Sequence, residues 1–243
     1  MGALAHSRAF APRVCAVSIE PDNGARRALT LLPVNTDDMF NAITAHRLAL
    51  ADQLDVLTAQ QWDAASLCEG WRVRDVLGHL VSILDLPTWK FLVGVFSLSG
   101  FNRRADTLAR QYGDRHTAEL LKLYRTLASK PMAPPGVGPI APMADVITHT
   151  FDIAKPLGLP IIHAAEPART VLTKMAGGFP GFVSKKRVAG LSFATTDLDW
   201  SFGRGPEVTG TVGDVLLALA GRKAGLAAVD GPGAAAFRDR PRA

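Results

Sequence analysis

DVLGHL (75–80) returns further along the chain as DVITHT (145–150), so a carboxylate stands four residues before a histidine twice. Residues at i and i+4 share one face of an α-helix, and the flanking residues carry helical periodicity. Around the first copy, Val73, Val76, Leu77, Leu80, Ile83 and Leu84 fall within an arc of roughly 120° at about 100° per residue. His79 lies about 40° outside one margin of that arc, and Asp75 about 40° further out. Around the second copy, Met143, Val146, Ile147, Ile153, Ala154 and Leu157 fill a similar arc, with His149 and Asp145 just beyond its margin in the same sense. Each histidine is therefore expected half-buried at the rim of a core stripe, looking into a bundle of helices.

Working outward, Phe40, Ile43, Arg47, Leu50, Leu54 and Leu57 recur at three- and four-residue steps, with Asn35 or Thr36 as N-cap. QWDAASLCEGW (61–71) reads as loop, and the helix of the first copy spans about 72–86, stopped by Pro87. Leu108, Leu120, Leu123, Tyr124 and Leu127 give a third helical stretch over 105–129. PMAPPGVGPIAP (131–142) is loop, and a fourth helix over about 143–155 ends at PLGLP. Four amphipathic helices with one long connection describe a four-helix bundle. Beyond about residue 160 the texture changes. A helix is expected over 167–176, and LSFATTDLDWSFG (191–203) alternates at period two as strands do. A turn at 203–205 leads into EVTGTV, and Thr211 with Asp214 forms a capping box for a helix through Val215, Leu216 and Leu219. The expected fold is a mainly α N-terminal four-helix bundle with a smaller α+β C-terminal domain. Its parts are a poorly ordered lead-in over 1–33, the bundle over 34–158 and the α+β domain over 165–243.

Composition narrows the class. Of 243 residues 48% are apolar and 20% charged, the balance of a globular chain rather than a disordered one. The net charge of +5 suits anionic small molecules as well as nucleic acid and decides nothing alone; Lys185, Lys186 and Arg187 form the longest basic run, and no nucleic-acid partner is expected. Cys15 and Cys68 make no disulfide framework and suit a reducing compartment. FLVGVFSLSGF (91–101) is too short and too interrupted to span a bilayer. Arg26 and Arg27 precede ALTLLPV, but no cleavage site follows, so the chain is expected to be untargeted and cytoplasmic.

Taken alone, each echo has a plain reading: a packed rim histidine, and an i,i+4 pair worth a few tenths of a kcal/mol. Asp75 falls in the first turn of its helix, where the dipole favours a carboxylate, and Asp145 also sits near a helix start. Two such helices in one bundle change the picture, since Asp145 and His149 can chelate one ion with His79 opposite. A His/His/carboxylate set leaves coordination positions open, as reactive metal sites do. Elsewhere His46 could reach the bundle interior but reads first as a packed histidine, Cys68 could be a reactive thiol but reads first as a small apolar group, and Asp152 reads as an orienting partner for His149 or a loop cap. His6, His116 and His163 have no informative spacing, and GRGPEVTG (203–210) and DGPG (230–233) are turns without a phosphate-loop pattern.

CEGWRVRDVLGHL (68–80), DVITHTFDIAKPLG (145–158) and TDLDWSFGRGPEVTG (196–210) together resemble the mycothiol-dependent maleylpyruvate isomerase family, from about residue 35 to the end. That family's N-terminal half belongs to the DinB-like metal-binding four-helix bundles. The resemblance implies a divalent metal, zinc, held by His79, Asp145 and His149. The family often has glutamate at the position of Asp145, and Thr or Ser where this chain has Arg72. It also implies mycothiol as thiol cofactor, the metal favouring the nucleophilic thiolate. In the isomerase, thiolate addition to a conjugated double bond permits rotation and then elimination; related members transfer the thiol or open a ring. The implied partners are that low-molecular-weight thiol and an electrophilic, carboxylate-bearing small molecule, with the protein a monomer or homodimer. Arg222 is the candidate catalytic cation for the substrate carboxylate, with Arg204 second. The alternative is a non-catalytic protein binding an apolar or lipid-like ligand, with an incidental metal site.

Overall fold

The structure, a computed structural model, describes residues 35–86, 98–134, 136–161 and 163–241, with the backbone alone at 98–102. The lead-in over 1–33, with His6 and Cys15, and the first seven residues of the apolar run 91–101 lie outside the described residues. Helix α1, Thr36–Asp55, begins where the Asn35 side chain accepts from the Asp37 amide at 3.3 Å. Its buried stripe of Ile43, His46, Arg47, Leu50, Ala51 and Leu54 keeps the three-and-four spacing. The stretch expected as loop over 61–71 starts inside a short helix, α2, Ala59–Asp63. Thr58 and Gln61 cap each other there, which satisfies the first amides of the turn, and Trp62 anchors it in the core.

Helix α3, Val73–Asp85, carries the first echo. Asp75, expected at its solvent margin, is 0 % exposed. The cover is helix α4, Leu98–Gly113, which glycines bring unusually near: a Cβ on Gly78 would lie 2.2 Å from the Ala109 carbonyl oxygen, and one on Gly113 would lie 2.5 Å from Asp75 Oδ1. The third stretch, expected as one helix over 105–129, is two, because α4 ends at that same Gly113 and helix α5, Thr117–Leu127, starts afresh after a turn. Asp114, in that turn, accepts from Arg72 at 2.7 Å.

Helix α6, Ile140–Leu157, carries the second echo and extends past the expected 143–155 at both ends. Pro142 is tolerated because the first-turn amides have no intrahelical partner. Pro156 cannot donate back to the carbonyl of Asp152, and that carbonyl instead accepts from the Leu67 amide at 3.0 Å. A proline in the last turn thus docks the loop that precedes α3. Gly158, at φ +64, closes α6 in the left-handed conformation.

The rest is α+β. Helices α7, Ala165–Ala176, and α8, Lys185–Val188, lead to a three-stranded sheet of β1, Ser192–Thr195, β2, Ser201–Gly203, and β3, Glu207–Gly210. The order is β2-β1-β3, with Phe193 opposite Phe202 in the antiparallel pair and opposite Val208 in the parallel one. Thr211 and Asp214 cap helix α9, Val212–Leu219, and α10, Lys223–Ala228, and α11, Ala234–Asp239, complete the chain. The start of α9 lies against α6, where a Cβ on Gly213 would be 2.4 Å from Phe151 Cε1. One buried core therefore runs from Ile43 in α1 to Phe237 in α11. No helix among the described residues is long and apolar enough to cross a membrane.

Candidate metal centre

Helix α6 places Asp145, His149 and Asp152 on one face, at steps of four and three residues. Across from it, α3 supplies His79, the loop docked by Pro156 supplies Cys68 and Trp71, and Arg222 stands at the N-cap of α10. Asp145 Oδ1 lies 3.5 Å from His79 Nε2 and 3.5 Å from His149 Nε2. The two imidazoles meet edge to face with centroids 4.9 Å apart, and the three donor atoms all lie within 4.8 Å of one another. Asp145, with 21% of its side chain exposed, is the most open member, so the set has a solvent side. Trp71 walls it, its ring 5.3 Å from that of His79 and 6.4 Å from that of His149, with Nε1–H donating to Asp106 at 2.7 Å.

A second layer stands behind His149. Its Nδ1 is 3.0 Å from Asp152 Oδ2 and 3.6 Å from the Cys68 sulfur. Cys68 donates to the same Oδ2 at 3.0 Å. Arg222 forks onto Asp152, Nε to Oδ1 and Nη2 to Oδ2, both at 2.9 Å, and Nη2 also reaches Cys68 Sγ at 3.3 Å. Burial alone would raise the pKa of Asp152, but bonds from His149 and Arg222 outweigh it and hold the group well below the ordinary carboxylate range. Asp145 behaves alike: burial opposes ionisation, and hydrogen bonds from His149 and His79 with their charge prevail. For His149, burial disfavours the proton, while Cys68, Asp145 and Asp152 together raise its pKa well above the usual value.

This arrangement suits a cation. Arg222 and Cys68 donate to Asp152, so Asp152 accepts, and a neutral His149 that bonds to it carries its hydrogen on Nδ1. Its bare Nε2 then faces Asp145 Oδ1 at 3.5 Å, two acceptors that repel unless a proton or a metal ion lies between them. His79 Nδ1, by contrast, is buried without a hydrogen-bond partner among the described residues. Cys68, His149 and Asp152 also converge within 4.8 Å, but the guanidinium of Arg222 already supplies the positive charge there.

The three residues named as ligands from the sequence thus stand together. Asp75 does not join them. Cys68, expected to pack as a small apolar group, sits in a buried polar cluster instead, because Asp152 and Arg222 come to it from distant parts of the chain. Arg222, expected to await a substrate carboxylate, directs Nε and Nη2 at Asp152. Arg204 is exposed in the turn between β2 and β3. His46 is packed as expected, with Nε2 3.0 Å from Thr150 Oγ1. His116 starts α5, and the ring of His163 lies 5.7 Å from that of Phe151. What the sequence reading missed was Trp71 against both histidine rings and the Cys68–Asp152–Arg222 link. Only the three-residue step from His149 to Asp152 signalled any of it.

Residues 43–154 match the family described as the mycothiol maleylpyruvate isomerase N-terminal domain, a span that contains the three donors, Cys68 and Asp152 but ends before Arg222. Among solved structures, a mutant of the mycothiol-dependent maleylpyruvate isomerase aligns with TM-score 0.55 at 11% identity. The unmutated enzyme aligns with TM-score 0.52 at 13% identity. Each alignment covers 86% of this chain and 96% of the other, a likeness of fold at this identity. No curated protein sequence matches. Over residues 43–154 the chain is similar to the mycothiol maleylpyruvate isomerase N-terminal domain family, and the likeness of fold continues through its α+β half.

Proposed function

We propose that His79, Asp145 and His149 hold a divalent metal ion, zinc as the family resemblance implies, and that the chain is a cytoplasmic, mycothiol-dependent isomerase or thiol transferase. Its substrate class is an electrophilic, carboxylate-bearing small molecule. The observation that carries the reading is the convergence of two imidazole nitrogens and one carboxylate oxygen, from two helices, beside an indole wall and open on the Asp145 side. When bound, the ion supplies a positive charge that favours the thiolate form of the thiol cofactor. The protein's own residues do the rest. Asp145 balances charge at the mouth, Trp71 keeps water from one side of the imidazoles, and the donor set occupies three positions and leaves the others open. Arg222 enters as a cation bonded to the site through Asp152, contributed by the 165–243 part to a donor set on the 34–158 part.

Elemental analysis of the purified chain, with zinc supplied, tests the first half of the reading. About one equivalent is expected in the wild type and none in His149→Ala; retention in His149→Ala removes it from the coordination sphere. The thiol half is tested by alkylating mycothiol with a haloacetamide in the presence of the protein. A change in thiol reactivity that depends on the metal supports the assignment, and identical kinetics with metal-loaded and metal-stripped protein overturn it.

A further inference from the structure

Asp152 is a buried carboxylate whose oxygens meet four hydrogen-bonding atoms: Arg222 Nε on Oδ1, and Arg222 Nη2, Cys68 Sγ and His149 Nδ1 on Oδ2. The two nitrogens of Arg222 can only donate, the Cys68 thiol donates to Oδ2, and the imidazole nitrogen can be either donor or acceptor. Arg222 donates to both oxygens of Asp152 and Cys68 to one of them, so the carboxylate acts as an acceptor toward its neighbours. A neutral His149 must therefore be the Nδ1–H form, with its lone pair on Nε2, toward Asp145. His79 has no such device among the described residues, its Nδ1 being buried and without a partner.

We propose that Arg222 and Asp152 are positioning residues that fix the tautomer and ring plane of His149, with Cys68 as a lesser support, so that the α+β half sets the readiness of a donor set built on the bundle. The inference rests on the donor set proposed above, but the tautomer itself is measurable without metal. Partners of this kind behind a ligating histidine change metal affinity by about 10–100-fold when removed. Arg222 would act on affinity without touching the ion. In Asp152→Asn, with the amide oxygen kept on Arg222 Nε and the NH2 in the place of Oδ2, His149 would meet a donor and its tautomer would reverse, while Arg222 Nη2 would lose its acceptor.

The test uses the full chain labelled with 15N-histidine, metal-free, at a pH where the ring is neutral, with long-range 1H–15N correlation to read the tautomer. The wild type is expected to show Nδ1–H at His149, and Asp152→Asn to show Nε2–H. In parallel, the zinc Kd from competition with a chromophoric chelator should rise about 10–100-fold in Asp152→Asn. Arg222→Gln should follow in the same direction, with Arg222→Lys between it and the wild type because charge returns without the fork. Arg222→Lys carries the test if Asp152→Asn fails to fold. An Nε2–H tautomer in the wild type overturns the proposal, as does an unchanged tautomer and Kd in Asp152→Asn. A wild type that shows the expected tautomer and its reversal but binds no zinc supports the positioning device and refutes the metal reading.

Discussion

Asp75 and Asp145 open the same five-residue phrase and stand in different chemistry. Asp75 Oδ2 accepts from the Arg72 backbone amide and from its Nε, both at 2.9 Å, and Oδ1 accepts from Nη2 at 2.8 Å. Arginine has no acceptor with which to cap a helix, and the carboxylate three residues on closes the N-terminus in its place. Because this pair is buried on the Asp75 side, Asp75→Asn should lower stability by about 1–3 kcal/mol in urea unfolding while bound zinc stays unchanged. Asp145→Asn should unfold like the wild type and lose the ion. Equal metal loss in both would refute the division of roles. The spacing of the two phrases made the two histidines legible from sequence, because i and i+4 share a face wherever the helix lies. The fate of each carboxylate was less so, since the burial of Asp75 comes from Gly113 on another helix, which the local sequence does not announce.

At the level of elements, α1 and α6 are clasped by His46, whose Nε2 meets the Thr150 hydroxyl at 3.0 Å. That hydroxyl donates to the Val146 carbonyl at 2.8 Å, so it accepts from His46, which is therefore the neutral Nε2–H form. Burial, with the charge of His163 adding to it, lowers the pKa of His46 from 6.5 to about 4. Between those values the unfolded chain binds a proton here that the folded chain does not, so stability rises with pH across the window. The contribution is fully present above pH 6.5 and is lost as pH falls toward 4, approaching about 3 kcal/mol at the low end. Urea unfolding at a series of pH values should show a steeper acid loss in the wild type than in His46→Gln, whose amide can still donate to Thr150. Parallel curves would show that His46 titrates normally. Helices such as α1, α3 and α9 were legible within a few residues because their apolar stripes and caps are local. The break between α4 and α5 was not, since Gly113 ends one helix while it receives another, and nothing in its own neighbours distinguishes those uses.

Over the whole molecule, the change of texture near residue 160 marks a change of architecture without a gap in the core. The last two turns of α6 face the α+β half. Phe151 lies under Gly213, Asp152 is held by Arg222, and Lys155 pairs with Asp214. Little in the sequence signals this seam, because Gly213 reads as part of a helix start and Arg222 as a cation for a substrate carboxylate rather than for Asp152. Their meaning depends on residues 60–70 positions away in the chain. A chain ending at residue 160 should therefore fare worse than its four recognisable helices suggest. It would leave a large aromatic ring uncovered, and it would strip the Arg222 guanidinium from a carboxylate that is 0 % exposed in the intact chain, a change that destabilises by about 3–5 kcal/mol where the charge stays buried. Circular dichroism of that fragment should show helix, but its thermal unfolding should be broad where that of the intact chain is sharp, and it should bind a hydrophobic dye that the intact chain does not. Its zinc affinity should fall at least as far as that of Arg222→Gln, because the same support of His149 is gone. Sharp unfolding of the fragment with undiminished zinc affinity would show instead that the bundle is complete without its α+β half.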